Sequence, residues 1–319
     1  MDALWIENGQ LAQRQLPRPQ PAAGEVLLQT RLAGICGTDL ALLEGYSGFS
    51  GVPGHEFIAE VIEGPAAWLG RRVVAGINLG CGACDFCRQG NPGHCRARQV
   101  VGIRDAQGAF AQYLSLPAEN LLAVPDELPD ELAVFAEPVA AALQILQQIN
   151  VAVDARVLVI GAGRMAQLIT RVMLQAGARV DVLARQAHRW QHFQNLGVNA
   201  LRHELCQALQ QQAEYELVIE CSGNPAALAT AIAAVRPTGT IVLKSTYAGA
   251  SSIDASALVV NEITLLGSRC GPMQAALDWL AAGHLRLDEL VIQTFDLSAA
   301  ASAFAAARAP GISKSLFGF

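Results

Sequence analysis

The chain has 319 residues, 52% hydrophobic and only 16% charged, with a net charge of 22 − 28 = −6. This length suggests about two domains, and the apolar composition excludes a disordered chain. The acidic balance argues against a nucleic-acid partner. Polar residues interrupt every long apolar stretch, and Met1–Pro19 carries Asp2 and Glu7 without a long apolar run, so neither a membrane span nor a signal peptide is expected and the location expected is cytoplasmic.

The first third reads as β-rich. Glu25–Leu32, Glu56–Glu63 and Arg72–Ile77 have strand-like patterns, punctuated by glycines and Pro53. This is the texture of a small barrel or sandwich with functional loops. Four of the eight cysteines then fall within fifteen residues: Cys81, Cys84, Cys87 and Cys95, spaced C-x2-C-x2-C-x7-C. In a reducing compartment this spacing points to a closed tetrahedral zinc site of structural role rather than to disulfides. Iron–sulfur runs use a shorter last gap followed by proline.

The texture changes near Pro138. Val139–Ile149 has helical periodicity, and strands and helices alternate after it. Strands are expected at Arg156–Ile160, Arg179–Leu183, Glu216–Cys221 and Thr240–Leu243. Helices are expected at Met165–Gln175, His188–Leu196 and Pro225–Val235. Such alternation means βαβ units and a parallel sheet. Beyond it, Met273–Ala282 and Ser298–Arg308 read as helices and Val291–Phe295 as a strand.

Gly161-Ala162-Gly163-Arg164-Met165-Ala166 stands between the first of those strands and its helix. This is G-x-G-x-x-A in the setting it requires. Gly161 permits the tight turn, Gly163 lets backbone approach a pyrophosphate, and Ala166 allows close helix–strand packing. The helix N-terminus offers N–H groups and a positive dipole end to the phosphates. The next strand ends Val182-Leu183-Ala184-Arg185, with Arg189 close behind and no acid at its tip; Asp181 lies inside the strand. An acid there suits the ribose hydroxyl of NAD and a base suits a 2′-phosphate, so NADP is expected to be preferred, with NAD possible. Lys244, Ser245 and Thr246 follow another strand end, where ligands bind in such sheets.

Three other segments hold metal-ligating residue types: Gly34-Ile35-Cys36-Gly37-Thr38-Asp39, Gly54-His55-Glu56 and Ala136-Glu137-Pro138. Cys, His and Glu together can hold a catalytic zinc with one position open. Each also has an ordinary reading: Cys36 as a small buried hydrophobe, His55 as a hydrogen-bonding residue, Glu56 and Glu137 as surface acids. Periodicity does not choose between them.

The chain resembles the zinc-dependent medium-chain alcohol dehydrogenase family over nearly its whole length. The resemblance rests on these three segments, the four-cysteine lobe and Gly161-Ala-Gly163. Glu220-Cys221-Ser222-Gly223, Pro237-Thr-Gly-Thr240 and Gly267-Ser-Arg-Cys-Gly271 extend it. It is most similar to the polyol and threonine dehydrogenase branch, because Glu137 stands where other members have a zinc-binding cysteine.

The resemblance implies an α/β architecture, with a Rossmann doubly wound parallel sheet (144–275) inserted into a GroES-like β-barrel catalytic domain (1–143 and 276–319). It implies two zincs per chain, one catalytic and one structural, and zinc meeting nicotinamide in the cleft between the domains. Cys36 and His55 would bind the catalytic zinc, with Glu56 or Glu137 as the remaining protein ligand. Thr38 would accept the substrate's proton, and Asp39 would orient His55. Ser222 would join the cofactor site, and Arg269 would contact substrate or cofactor or form a structural ion pair. The activity implied is hydride transfer between an alcohol and the nicotinamide, in a homodimer or homotetramer. Two departures point to a less polar alcohol or aldehyde. Ala41 replaces the relay histidine, and Leu42 the substrate-contacting tyrosine of polyol enzymes.

Two alternatives stand beside this reading. One is a reductase of the same fold without catalytic zinc, which the presence of Cys36, His55, Glu56 and Glu137 disfavours. The other is a zinc-stabilised binding or redox-sensing protein, in which Cys206, Cys221 and Cys270 would react, although buried inert thiols are the default.

Overall fold

The computed structural model describes residues 1–185, 189–190, 193, 196–202, 213–246, 251–287, 289–290, 292–309 and 314–319. It divides into two compact units. The first comprises Met1–Glu137, Met273–Gly283 and Glu289–Phe319, and the second Pro138–Pro272 with His284–Asp288.

In the first unit, strands Glu25–Gly34, Glu56–Glu63, Arg72–Ala75, Tyr113–Pro117, Leu121–Ala123, Ile292–Asp296 and Lys314–Gly318 form one seven-stranded sheet. Glu25–Gly34 is its hub. It pairs antiparallel with Glu56–Glu63, Tyr113–Pro117 and Lys314–Gly318. Its apolar residues Val26, Leu27 and Leu28 are fully buried. Phe110 packs edge-on to Phe317 at 5.0 Å and to Phe304 at 6.2 Å, a geometry aromatic quadrupoles favour. The hub's pairings bring the Cys36 loop beside Glu56, because Gly34 is in register with both Glu56 and Leu316.

In the second unit, among the described residues, the strand order is Asn199–Arg202, Arg179–Ala184, Arg156–Ile160, Tyr215–Glu220, Val235–Leu243, Thr264–Gly267. All pairs are parallel. Chain order therefore runs 3-2-1-4-5-6, the doubly wound arrangement with its reversal beside the first strand. Val157, Leu158 and Val159 are fully buried, as strands covered on both faces must be. Helix Arg164–Gln175 buries Ala166, Leu168, Ile169, Val172 and Met173.

Local bounds sharpen. The helix expected from Val139 begins at Ala136. The strand expected at Thr240–Leu243 spans Val235–Leu243, and that expected at Val291–Phe295 is described as Ile292–Asp296. The helix expected at His188–Leu196 falls mostly outside the described residues. No helix of the described residues is long and apolar enough to cross a membrane.

Candidate functional site

Among the described residues, the first unit gathers two groups of metal-ligating atoms. Each group has its ligand atoms within 4.8 Å of one another: Cys81, Cys84, Cys87 and Cys95, and separately Cys36, His55 and Glu56.

The four-cysteine group is built locally. Cys84 caps the one-turn helix Asp85–Arg88, and a 3-10 turn at Pro92–His94 delivers Cys95. Cys84 Sγ lies 3.6 Å from Cys87 Sγ, and the Cys81 amide donates to Cys95 Sγ at 3.4 Å. Backbone N–H groups of Ala83 and Cys84 hold the Cys81 thiol down at about 6. Loss of water contact and the neighbouring Cys84 push Cys87 up to about 11. Four soft sulfurs gathered in one group match a closed tetrahedral zinc site.

The second group is built from two distant segments tied by one acid. Asp39 is fully buried. Its Oδ2 accepts the Cys36 N–H at 2.8 Å and its Oδ1 accepts the Gly54 N–H at 3.2 Å. Oδ1 also lies 3.6 Å from His55 Nδ1. One carboxylate thus braces both loops and faces the imidazole. Gly54 has φ +100°, and a Cβ there would lie 2.5 Å from the Phe110 ring; only glycine turns the chain into His55 at this point. Burial opposes charge on Cys36, but hydrogen bonding to His55 and its positive charge hold the thiol below its usual range. Burial also opposes charge on His55, yet Asp39 carries the ring well above its ordinary value. A thiol, an imidazole and a carboxylate converging under 4.8 Å, with a second carboxylate behind the imidazole, fit a metal centre with an open position. Thr38 Oγ1 is 3.9 Å from Cys36 Sγ.

Glu137 lies in the first turn of helix Ala136–Gln148 and is not one of this group. Glu56 has a partner that sequence reasoning missed. Its Oε2 forms an ion pair with Lys314, both residues being buried. Burial brings the Lys314 ammonium down to about 8. The available signal was a single cation in the otherwise uncharged run Lys314-Ser-Leu-Phe-Gly-Phe319. Leu42 is 1% exposed and packs with Ile6 and Phe49, so it belongs to the core.

The second unit carries the glycine motif. Gly161 has φ +125°, and a Cβ there would come within 3.0 Å of the Cys221 and Ser222 backbone. Gly163 caps helix Arg164–Gln175, and a Cβ on it would meet nothing within 4 Å. Protein packing requires the first glycine and leaves open space at the second, which fits a phosphate cradle. A cavity of about 300 Å³ beside it is lined by Gly161, Arg185, Arg189, Ser222, Asn224 and Thr230; Asn224 and Thr230 are additions to the sequence reading. Arg185 is exposed, and Arg189 Nε is buried without a hydrogen-bond partner. Asp181 is engaged elsewhere, by Tyr215 OH at 2.7 Å and Asn199 Nδ2 at 3.0 Å. Glu220 Oε1 accepts from the Ser222 amide and hydroxyl at 2.8 and 2.5 Å, shaping the cavity's rim. Lys244 Nζ donates to the Ala141 carbonyl at 2.6 Å and Ser268 Oγ at 3.3 Å, and Ser245 Oγ accepts the Gly223 N–H at 2.8 Å. Lys244 therefore ties helix Ala136–Gln148 to Ser268, and Ser245 braces the turn at Gly223. Thr246 and Arg269 are exposed, while Arg164 and Met165 open the helix and Ala166 is fully buried beneath it.

Residues 22–126 match the alcohol dehydrogenase GroES-like domain family, and residues 151–282 the zinc-binding dehydrogenase family. The starvation-sensing protein RspB of Escherichia coli K12 is 30% identical over 95% of this chain and 94% of its own length. The chain belongs to the medium-chain zinc-binding dehydrogenase family. L-threonine 3-dehydrogenase of Xanthomonas campestris is 30% identical over 83% of this chain and 80% of its own. Among solved structures, alcohol dehydrogenase RspB of E. coli CFT073, complexed with NADH, superposes with TM-score 0.93 at 27% identity, covering 100% of this chain and 99% of that one. A Sinorhizobium meliloti chain solved with NADP gives 0.91 at 25% identity with the same coverage. The family's GroES-like and Rossmann-like parts account for the two units' sheets. Its members thus occur with either nicotinamide cofactor.

Proposed function

We propose that the chain is a zinc-dependent alcohol dehydrogenase that transfers hydride between an alcohol, or the aldehyde or ketone in reverse, and NADP(H) in preference to NAD(H). The observation that carries the reading is the convergence of Cys36, His55 and Glu56, braced by the buried Asp39. Cys36, His55 and Glu56 would hold the metal; Glu137, outside that group, would take the looser, exchanging role. Asp39 fixes the imidazole and raises its basicity as a ligand. Thr38 Oγ1, beside Cys36 Sγ, accepts the proton of the substrate hydroxyl. When bound, zinc supplies Lewis acidity at the substrate oxygen and the nicotinamide carries the hydride. Cys81, Cys84, Cys87 and Cys95 hold a second, structural zinc.

For the cofactor, Gly161, Gly163, Arg164, Met165 and Ala166 receive the pyrophosphate, and Ser222 lines the same cavity. Lys244, Ser245 and Thr246 shape the end toward the nicotinamide. Arg185 and Arg189 select the 2′-phosphate. Three observations support this last point: no acid at the strand tip, Asp181 tied to Tyr215, and an unpartnered Arg189 Nε. Ala41, with Leu42 in the core, favours a substrate less polar than a polyol. The homo-oligomer we infer uses the sheet edge Thr264–Gly267 and the preceding helix, where Val259 and Val260 are 76% and 79% exposed.

The test is a panel of alcohols, aldehydes and ketones assayed with both cofactors. Turnover with a higher kcat/KM for NADP(H) is expected. No hydride transfer with any member overturns the enzymatic reading, and a clear NAD preference overturns the cofactor assignment.

A further inference from the structure

The peptide that presents His55 has little room to move. Gly54, just before it, packs against two glycines of other segments, Gly102 and Gly108. A Cβ on Gly102 would fall 2.4 Å from the Gly54 carbonyl oxygen and 2.7 Å from its nitrogen. A Cβ on Gly108 would fall 2.4 Å from the carbonyl oxygens of both Gly54 and Pro53. Ordinary carbon contacts lie about 3.5–4.0 Å apart. The atoms met are backbone atoms, which cannot swing aside as the end of a side chain does. Both glycines are buried.

The segment that carries Gly108 also grips the same stretch by hydrogen bonds. The Gly108 N–H donates to the Val52 carbonyl at 2.7 Å, the Phe110 N–H to the Pro53 carbonyl at 2.9 Å, and the Ala109 N–H to the Gly54 carbonyl at 2.9 Å. Gln107 Oε1 accepts the Val52 N–H at 2.6 Å. The Pro53 and Gly54 carbonyls are thereby fixed, while the Gly54 N–H donates to Asp39 Oδ1 at 3.2 Å. That same oxygen lies 3.6 Å from His55 Nδ1. Dense packing alone would account for such a stack anywhere in a core. Here it ends on the peptide that carries a proposed ligand and that donates to the acid behind that ligand. Its spacing sets where the imidazole stands and how Asp39 meets it, and outer contacts of this kind tune metal affinity. We propose that Gly102 and Gly108 are positioning residues for the metal centre. Their missing side chains let backbone lie directly on Pro53-Gly54, which seats His55 against Cys36 and Asp39. The inference rests on the catalytic-zinc reading above.

The experiment measures zinc affinity by chelator competition on the full chain, with the four-cysteine zinc as internal reference. The absorption spectrum with cobalt in the Cys36 site is recorded in parallel. Gly108 lies outside the left-handed region, so Gly108→Ala adds crowding alone. It should weaken zinc at the Cys36 site by about tenfold to a hundredfold, change the cobalt spectrum and leave the lobe's zinc in place. Gly102→Ala should act in the same direction. Gly102 has φ +65°, so Gly70→Ala, at φ +73° with open space around it, controls for backbone strain; it should lower Tm and move neither zinc. If both glycine variants fail to fold, Gln107→Ala decides. It removes one hydrogen bond of the same grip, adds no atom, and should weaken the Cys36-site zinc by about threefold to tenfold. Folded variants with wild-type zinc affinity and cobalt spectrum, or variants that release both zincs together, overturn the inference. So does a Gly70→Ala loss at the Cys36 site equal to that of Gly102→Ala. A wild-type chain holding only the four-cysteine zinc overturns the underlying site instead.

Discussion

The two groups of metal-ligating residues are built in opposite ways. The four-cysteine lobe draws its ligands from fifteen consecutive residues on turns and a one-turn helix, with Cys81 exposed and only Cys95 buried. The Cys36–His55–Glu56 group lies on a different framework. It joins two loops across a sheet, with His55 and Glu56 3% and 2% exposed, and with the ionisable neighbours Asp39 and Lys314 buried around it. A closed site takes four protein donors at tetrahedral reach. An open site takes three and leaves a position free, with partners behind the donors that orient them and tune their strength.

That contrast can be broken or sharpened by mutation. The largest effect is expected from Cys36→Ser, which should reduce kcat/KM by more than roughly a hundredfold, beyond what loss of an outer partner costs. It should leave the lobe's zinc in place. Cys84→Ser should do the reverse, releasing the lobe's zinc and lowering Tm, because structural zinc contributes folding free energy directly. Thermal unfolding with metal analysis checks both, and a Cys84→Ser protein with unchanged Tm and zinc content would contradict the assigned division of labour. Asp39→Asn should cost about tenfold to a hundredfold in metal affinity or activity, read by chelator competition, while leaving lobe zinc untouched. The smallest effect concerns the second unit. Arg189→Ala should lower kcat/KM for NADP by about tenfold, the low end of what a charge-assisted hydrogen bond of roughly 1.5–3 kcal/mol is worth, and leave NAD nearly unchanged. Equal losses with both cofactors would remove Arg189 from 2′-phosphate recognition.

The same contrast explains what could be read from sequence. The lobe and the strand–glycine–helix unit are local, so spacing alone exposes them. Arg156–Ile160 has the bounds its apolar run predicts, and Asp181 sits within its strand, as its position before Val182 and Leu183 suggests. Membership of the Cys36–His55–Glu56 group is not local. It depends on antiparallel pairing that brings Gly34 beside both Glu56 and Leu316, and no pattern around Lys314 announces that register. Resemblance put Cys36, His55 and Asp39 in one site and left Glu56 and Glu137 equivalent; of the two, Glu56 is the one whose ligand atom groups with Cys36 and His55. One local signal was passed over. Asn8-Gly9, with φ of +51° and +73°, joins the hairpin strands Asp2–Glu7 and Gln10–Gln15, and Asn-Gly is the strongest short hairpin signature. Leu42 could be read only by analogy with a substrate contact. Its burial against Ile6 depends on that hairpin.

The most direct measurement is zinc stoichiometry of the purified wild-type chain beside Cys36→Ser and Cys84→Ser. Two zincs per wild-type chain and one in each variant are expected. One zinc in wild type, or two retained in Cys36→Ser, would contradict the catalytic metal centre on which the proposed function rests.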